Sequence, residues 1–293
     1  MKTAFVFPGQ GSQSVGMGKD LAEKHLDQAS EILGLDLKKL CFEGPEEELM
    51  KTEVTQPAIL TVSVAAFELL KSKGVPMPAA VAGHSLGEYS ALVAAAALSF
   101  QDAVKVVHVR GKFMQEATPL GEGSMAAIVG MNKEQVGECC KKASTLGTVS
   151  AANLNSPGQI VISGKKQAVE QATKLCKEAG AKRTVPLQVS APFHCPLMQP
   201  AAQKLKLELD KIQIKDAQIP LVANVTADYT TKASEIRELL IKQVTHPVLW
   251  EDSIKKMLDD GITSFIEVGP GRVLSGLIQR INRKAEVKTY LEV

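Results

Sequence analysis

Short apolar runs alternate with longer helical patterns along this chain, and together they predict a mixed α/β protein. An apolar strand over residues 3–7 ends at Pro8, and residues 80–82 have the composition of the end of a second buried strand. Helical patterns follow at 57–71 and at 86–98. The second helix is alanine-rich and apolar on nearly every face, which is typical of a helix buried inside a large domain.

The pattern changes at Ser124, where strands and helices are predicted in the order βαββαβ. Asn132 caps the first helix, residues 155–158 turn the chain, and Gly180 ends the second helix. The predicted strands are 125–131, 148–152, 159–163 and 182–189, and the predicted helices are 132–142 and 165–179. This order is typical of a ferredoxin-like unit.

Strand and helix alternate again after Pro196, so the ferredoxin-like unit interrupts a larger α/β unit. The elements predicted there are strands at 221–225 and 264–268 and a helix at 273–281. We therefore expect a small domain, residues 124–190, inserted into a large domain made of residues 1–123 and 191–293.

The composition excludes several classes of function. The 293 residues are 45% hydrophobic and 23% charged with a net charge of +2, which is ordinary for a globular protein and unlike most nucleic-acid binders. Aromatic residues, at 4%, are too sparse for base-stacking platforms. The longest apolar run, 91–98, is shorter than the roughly 18 residues of a membrane span, and Pro8 comes too early for a signal peptide. We expect a cytoplasmic protein with no membrane or nucleic-acid partner.

The five cysteines contain no C-x-x-C pair, which argues against a disulfide framework and a zinc knuckle and favours reduced thiols. Cys195 directly follows His194, but neighbouring side chains of an extended segment point to opposite faces, so we interpret Cys195 as a packing residue. The scattered histidines predict no metal site.

The segment Gly83-His84-Ser85-Leu86-Gly87 fits the G-x-S-x-G pattern, directly after an apolar strand and before a helix. Its glycines permit a tight turn that lifts the Ser85 hydroxyl out of the backbone, and the helix N-terminus places amide donors beside it. The simpler alternative is an ordinary glycine turn with a serine cap. The context favours a nucleophilic serine.

A serine nucleophile requires a base with a pKa near neutrality, for which the chain offers His25, His84, His108, His194 and His246. His84 adjoins Ser85 and should face away from it, whereas His25 and His108 belong to helical segments that favour the surface. His194 lies where the inserted domain returns to the large one, and clefts form at such junctions. His194 is the favoured base, with a structural histidine as the alternative.

Arg110 lies in a helix that begins at the Ser99 cap, on one face with Ala103, Val107 and Met114. An arginine on an apolar face requires an anion, which is either a substrate carboxylate or an internal one, unless the side chain snorkels to the surface. The residues alone leave these explanations open.

A glycine-rich loop, residues 8–13, follows the first strand. Ser14 stands where a dinucleotide-binding G-x-G-x-x-G pattern requires glycine, so the loop does not predict a nucleotide-binding site. Such a loop at the carboxyl end of a strand can instead direct backbone amides at an oxyanion.

Seven segments, in order along the chain, resemble the malonyl-CoA:acyl carrier protein transacylase family, the acyltransferases of dissociated fatty acid synthesis. They are FVFPGQGSQ at 5–13, GHSLGE at 83–88, RGKFMQ at 110–115, NSPGQ at 155–159, APFH at 191–194, Gln243 before Pro247, and EVGPG at 267–271. The resemblance covers essentially the whole chain. It implies an α/β-hydrolase-like large domain with an inserted ferredoxin-like domain, in agreement with the pattern above.

The resemblance also implies a role for each candidate residue. Ser85 would be the nucleophile and His194 its base, oriented by the main-chain carbonyl of Gln243 in place of an aspartate. The backbone amides of Gln10 and Leu86 would form the oxyanion hole. Arg110 would bind the malonyl carboxylate, and Leu86 with Phe193 would favour malonyl over methylmalonyl groups.

The reaction so implied transfers malonyl from malonyl-CoA, through an ester on Ser85, to the phosphopantetheine thiol of acyl carrier protein, with no bound cofactor. Activity should be lost on acidification with a histidine-like titration. We expect a monomer, with Lys182 and Arg183 as candidates for docking an acidic carrier protein.

Three alternatives stay open in principle. A serine esterase or thioesterase would have little use for Arg110, and a non-catalytic docking subunit would not need Ser85 and His194. An acyltransferase that serves a polyketide or polyunsaturated fatty acid synthase would share the same motifs.

Overall fold

Two β-sheets organise the chain in a computed structural model that describes residues 2–187, 189 and 191–293. The first segment contains β1 (Lys2–Phe7), α1 (Glu23–Leu33), α2 (Leu37–Glu43), α3 (Glu46–Leu49), α4 (Thr52–Ser72), β2 (Ala80–Gly83), α5 (Gly87–Ala94) and α6 (Phe100–Glu116). The middle segment contains β3 (Gly123–Val129), α7 (Lys133–Ala143), β4 (Val149–Ser156), β5 (Gln159–Lys165), α8 (Lys166–Glu178) and β6 (Arg183–Pro186). The last contains α9 (Gln199–Leu209), β7 (Leu221–Val222), β8 (Tyr229–Thr230), α10 (Ala233–Gln243), α11 (Trp250–Asp259), β9 (Ile262–Glu267), α12 (Val273–Ile281) and β10 (Glu286–Thr289).

The larger sheet has the strand order β10-β9-β1-β2-β7-β8, and its strands are parallel except for β8, which runs antiparallel to β7. Because successive side chains of a strand point to opposite faces, Phe5 and Phe7 of β1 enter one core while Ala4 and Val6 enter a second core across the sheet. Phe7 pairs with Gly83, so β1 and β2 end side by side at one edge of the sheet.

Helix α4 begins at Thr52, ahead of the start at residue 57 that the sequence predicts, and it contains Pro57 within its second turn. Proline has no backbone N–H, so the carbonyl of Glu53 receives no helical hydrogen bond from position 57. His108 Nδ1 of α6 donates to that carbonyl at 2.9 Å instead. A side chain from the neighbouring helix therefore replaces the missing helical donor.

Among the described residues, α4 is also the single helix that is long and apolar enough to cross a membrane by length and composition alone. In the fold, 83% of its most apolar window is buried inside the protein. A core helix of a soluble protein passes the same test, so the match is weak evidence for a membrane span.

The smaller sheet is antiparallel, with the strand order β4-β5-β3-β6, and its elements follow the predicted order βαββαβ. Helices α7 and α8 share a hydrophobic core with it. The predicted turn at 155–158 is too long, because β4 continues to Ser156, which pairs with Gln159. Of the predicted strand 182–189, residues 183–186 pair with β3, while Gln188 lies outside the described residues, as does Ser190 at the predicted domain boundary.

Main-chain hydrogen bonds join β4 of the smaller sheet to the segment that leads into α11. Val248 donates to the carbonyl of Ala152 and accepts from the N–H of Leu154, each at 2.9 Å, around a parallel bridge between Asn153 and Val248.

Strand β7 is shorter than the predicted strand 221–225, since the chain turns after Val222. That turn brings the side chain of Asn224 to the end of β2.

Candidate active site

Ser85 lies in the turn between β2 and α5, at the carboxyl edge of the larger sheet. Its φ is 52°, in the left-handed region that residues other than glycine rarely adopt. The chain approaches itself so closely here that a Cβ on Gly83 would overlap the backbone of Gly87, and a Cβ on Gly87 would overlap the carbonyl of Phe7. The segment therefore forms the tight strand-to-helix turn that its glycines predict.

His194 is the histidine that the fold brings to Ser85. Its Nε2 lies 2.7 Å from Ser85 Oγ, and its Nδ1 lies 2.8 Å from the main-chain carbonyl oxygen of Gln243. Because a carbonyl oxygen only accepts hydrogen bonds, Nδ1 donates the proton and the lone pair of Nε2 faces Ser85. His194 is buried, and its φ of 58° is also left-handed.

The other four histidines bond to groups away from the Ser85 hydroxyl. Their partners are Glu68 for His25 at 2.9 Å, Asn155 for His84 at 2.8 Å, the Glu53 carbonyl for His108, and the Lys242 carbonyl for His246 at 2.9 Å. His84 thus faces away from Ser85, as its position next to the serine predicts.

Arg110 lies beneath Ser85, with its side chain fully inside the protein. Its Nη1 donates to Gln56 Oε1 at 2.7 Å, and its Nη2 donates to Gln243 Oε1 at 2.8 Å and to Ser85 Oγ at 3.2 Å. All three acceptors are neutral oxygens, so Arg110 makes no direct contact with a carboxylate among the described residues. The predicted helix start at Ser99 is confirmed, and the apolar face that α6 shares with Arg110 is buried.

The electrostatics of the site follow from burial. Burial, and secondly the nearby charge on Arg110, together lower the pKa of His194 to about 3. His194 is therefore a neutral imidazole at pH 7. Burial raises the pKa of Glu88 to about 7, an effect opposed by hydrogen bonds from Asn224 and Gln243 and by the charge on Arg110.

A cleft opens at Ser85 between the two sheets. Its lining includes Gln10 and Leu86 from the larger unit, Met125 of β3, and Phe193 of the segment that returns from the smaller sheet. Leu86 and Phe193 are buried there. The predicted site residues thus converge on one cleft, from segments that are far apart in sequence.

Two amide side chains hold the backbone of Ser85: Asn224, which sequence reasoning missed, and Gln243, which was predicted only for its main-chain carbonyl. Asn224 Oδ1 accepts from the N–H of Ser85 at 2.7 Å while its Nδ2 donates to the Gly83 carbonyl at 2.6 Å, and Gln243 Nε2 donates to the Ser85 carbonyl at 3.0 Å. Glu88, a buried carboxyl near the start of α5, accepts from the backbone N–H of Asn224 and from Gln243 Nε2. A charged residue at the start of an otherwise apolar helix was the available signal for this network.

The five cysteines are buried free thiols, and Cys195 Sγ donates to the Pro192 carbonyl at 3.1 Å. Across residues 2–187, 189 and 191–293, no three His, Cys, Asp or Glu side chains lie together as a metal site would require.

The sequence matches the family profile "Acyl transferase domain" over residues 4–292. It is 54% identical to the malonyl CoA-acyl carrier protein transacylase of Bacillus subtilis, over 97% of this chain and 91% of that protein. Identity to the transacylase of the same name from Escherichia coli K12 is 51%, over 95% of this chain and 92% of that protein.

Solved structures agree in fold. An acyl carrier protein S-malonyltransferase from Vibrio cholerae matches with a TM-score of 0.96 and 47% identity, over 99% of this chain and 96% of that one. A malonyl-transacylase in complex with a type II polyketide synthase acyl-carrier protein matches with a TM-score of 0.95 and 46% identity, over 99% of this chain and 95% of that one.

Proposed function

The chain belongs to the acyl transferase family and is similar to malonyl CoA-acyl carrier protein transacylases, and we propose that it transfers malonyl from malonyl-CoA to an acyl carrier protein. The observation that carries the proposal is the 2.7 Å contact between Ser85 Oγ and His194 Nε2, with Arg110 within 3.2 Å of the same hydroxyl. A nucleophile, a base and a carboxylate-binding cation thus share one cleft.

In the first half-reaction, Ser85 Oγ attacks the thioester carbonyl while His194 Nε2 accepts the hydroxyl proton. His194 then gives that proton to the departing coenzyme A thiol, and a malonyl ester stays on Ser85. In the second half-reaction, His194 takes the proton from the phosphopantetheine thiol of the carrier, and the sulfur attacks the ester carbonyl. The ester bond to Ser85 Oγ then breaks, and His194 returns the proton to that oxygen. The Gln243 carbonyl fixes the tautomer that both steps require, so a serine-histidine pair suffices.

The backbone amides of Gln10 and Leu86 are the proposed donors to the tetrahedral oxyanion. Both residues line the cleft at Ser85, one in the glycine-rich loop after β1 and one at the start of α5. Amides aimed at the developing charge lower the barrier because they are already oriented before the reaction begins.

Arg110 is the proposed binding group for the free malonyl carboxylate. Its present acceptors are the neutral Gln56, Gln243 and Ser85 oxygens, which a carboxylate can replace with a stronger, charge-assisted contact. Leu86 and Phe193 would restrict the space beside the acyl group and so favour malonyl over methylmalonyl.

We assign the chain a hydrolase-like large domain, residues 1–123 and 191–293, and a ferredoxin-like small domain, residues 124–190. The strand order β4-β5-β3-β6 with two helices supports the second assignment. The enzyme is proposed to be a cytoplasmic monomer with no resident cofactor or metal and no nucleic-acid or membrane partner. Lys182 and Arg183, which are exposed at β6, are the proposed docking residues for an acidic carrier protein.

Intact-protein mass spectrometry tests the proposal. Incubation with malonyl-CoA should add one malonyl group to Ser85, and a phosphopantetheinylated carrier should then remove it. Release of the group to water, with no transfer to the carrier, would indicate a thioesterase. Transfer to a polyketide carrier but not to a fatty acid carrier would indicate the polyketide alternative. A similar malonyl-transacylase has been solved in complex with a polyketide carrier protein, so this alternative has a concrete acceptor to test.

A further inference from the structure

Glu88 is a buried carboxyl that the proposed reaction does not use. It is 1% exposed and lies in the first turn of α5, directly after the serine turn. Its Oε2 accepts from the backbone N–H of Asn224 at 2.9 Å and from Gln243 Nε2 at 3.1 Å. A carboxyl held this far from water requires an opposite charge or a proton.

The side-chain amide of Gln243 lies between Glu88 and Arg110. Its Oε1 accepts from Arg110 Nη2 at 2.8 Å, and its Nε2 donates to Glu88 Oε2. Each contact polarises the amide in the same direction, so the positive charge on Arg110 strengthens the bond to an ionised Glu88. The guanidinium and the carboxyl group are thus linked through the side-chain amide of Gln243.

We propose that Glu88 is the counter-charge of Arg110 in the unacylated enzyme and that it takes up a proton when a malonyl carboxylate binds Arg110. This inference rests on the proposed function. Before acylation, one guanidinium and one carboxylate balance in the buried site. Afterwards one guanidinium would face two carboxylates, an excess negative charge that protonation of Glu88 removes.

The proton comes from solvent, because the acyl transfer itself conserves protons. The hydrogen of the Ser85 hydroxyl leaves on the coenzyme A thiol, and the additional proton binds a carboxylate oxygen of Glu88. Transfer of the malonyl group to the carrier frees Arg110, and Glu88 then returns its proton to solvent.

The other titratable groups that face this network stay uncharged near pH 7. They are Tyr89 of α5, whose pKa burial raises to about 12, and His84 and His194, whose pKa values burial lowers. Helix α4 presents the amide of Gln56, and α6 presents Arg110. The pKa of Glu88, raised by burial to about 7, leaves this carboxyl able to change state near neutrality.

Proton uptake during a single turnover tests the inference. Enzyme and malonyl-CoA are mixed at pH 8 in weak buffer with an indicator dye, and mass spectrometry counts malonyl-serine in the same samples. The released coenzyme A thiol, with a pKa of about 8.5, gives up part of its proton at pH 8 in both proteins, so wild-type enzyme should take up about one proton per malonyl group more than Glu88→Gln does. Glu267→Gln, which alters another buried carboxyl that caps α12, should keep the uptake of the wild type.

A second substrate keeps the test decisive if Glu88→Gln does not fold. Acetyl-CoA brings no carboxylate to Arg110, so wild-type enzyme loaded with acetyl should show only the proton release of the coenzyme A thiol. The same proton balance with both substrates would overturn the role of Glu88 while malonyl-Ser85 still forms. Absence of malonyl-Ser85 itself would instead refute the proposed function.

The pH dependence of kcat/KM separates this role from a purely structural one. In the wild type, kcat/KM for malonyl-CoA should fall about tenfold per pH unit once Glu88 is ionised in the free enzyme, because each binding event must then recruit a proton. In Glu88→Gln that decline should disappear between pH 7 and pH 9. The same decline in both proteins would contradict the inference.

Discussion

Ser85 and His194 meet through side-chain atoms 2.7 Å apart, and both residues hold left-handed backbones, with φ of 52° and 58°. Each such conformation costs on the order of 1 kcal/mol or more in a residue other than glycine. The N–H of Ser85 donates to Asn224 Oδ1, and Gln243 Nε2 donates to the Ser85 carbonyl; these hydrogen bonds offset that cost at Ser85. Ala96 and Ala227 are also left-handed, so the two residues to which the chemistry is assigned are two of four such non-glycine residues in the described part of the chain.

Ser85→Ala should remove the nucleophile and leave the fold intact. The alanine keeps the backbone bonds to Asn224 and Gln243, so thermal stability should stay close to that of the wild type. No malonyl mass should appear on the protein, and transfer should fall by several orders of magnitude. A malonyl adduct retained on another residue would contradict the assignment.

Activity should persist to lower pH than an ordinary histidine allows. Burial and the charge on Arg110 lower the pKa of His194 to about 3, so the free imidazole stays neutral as the pH falls through 6.5. The acid limb of kcat/KM for malonyl-CoA should therefore lie below the usual histidine range, in contrast to the histidine-like titration that the sequence predicts.

His194→Ala should slow both half-reactions, and normal acylation without the imidazole would exclude His194 as the base.

The same shift links pH to stability. The folded-state pKa of His194 lies below its unfolded value, so the unfolded chain binds the extra proton as the pH falls below about 6.5. The contribution of His194 to the free energy of unfolding is thus complete above that pH and is lost progressively below it. Urea unfolding between pH 7 and pH 5 should show a smaller loss of stability in His194→Ala than in the wild type.

Arg110→Ala should separate malonyl transfer from general acyl transfer. The loss of a buried charge-assisted contact of this kind costs about 2 to 5 kcal/mol, so kcat/KM for malonyl-CoA should fall by roughly 30-fold or more. Acetyl-CoA has no carboxylate to lose and should be used as well as before or better. Lys105→Ala, an exposed cation on the same helix, should leave both values unchanged. An equal decline for both substrates would make Arg110 a structural residue.

Carrier docking should depend on salt. If Lys182 and Arg183 bind an acidic carrier, added salt should slow transfer to the carrier more than transfer to a small pantetheine acceptor. Alanine at both positions should remove most of this difference. Alanine at Lys24 of α1 and Lys39 of α2, which are also exposed, should leave this difference in salt sensitivity unchanged. Equal salt sensitivity for both acceptors would argue against electrostatic docking.

The contact between His108 and the Glu53 carbonyl should stabilise the fold because Pro57 lacks an N–H. His108→Ala should lower the free energy of unfolding by about 1 to 2 kcal/mol, since it leaves that carbonyl without its donor. In a Pro57→Ala background, the backbone N–H of position 57 can supply the bond, and the same substitution should cost less. Chemical unfolding of the four proteins of this double-mutant cycle measures the difference.

Local sequence signals determined the elements that form the site. The glycines around Ser85, the Ser99 cap with the apolar face of α6, and the Asn132 cap of α7 each act within a few residues, so their patterns predict the observed turn and helices. Strand lengths were less predictable. Strand β4 is longer than the predicted strand 148–152 and β7 is shorter than the predicted strand 221–225, because pairing with β5 and the turn after Val222 decide where each ends.

Only the tertiary structure decided how the site works, since its contacts join segments far apart in sequence. Ser85 and His194 are separated by 109 positions, and Glu88 reaches Asn224 across 136. From the sequence, His194 was a choice among five histidines and Glu88 had no assigned role. The low pKa of His194 follows from desolvation and from the charge on Arg110, whereas the high pKa of Glu88 follows from desolvation alone. Both are consequences of packing that no local pattern contains.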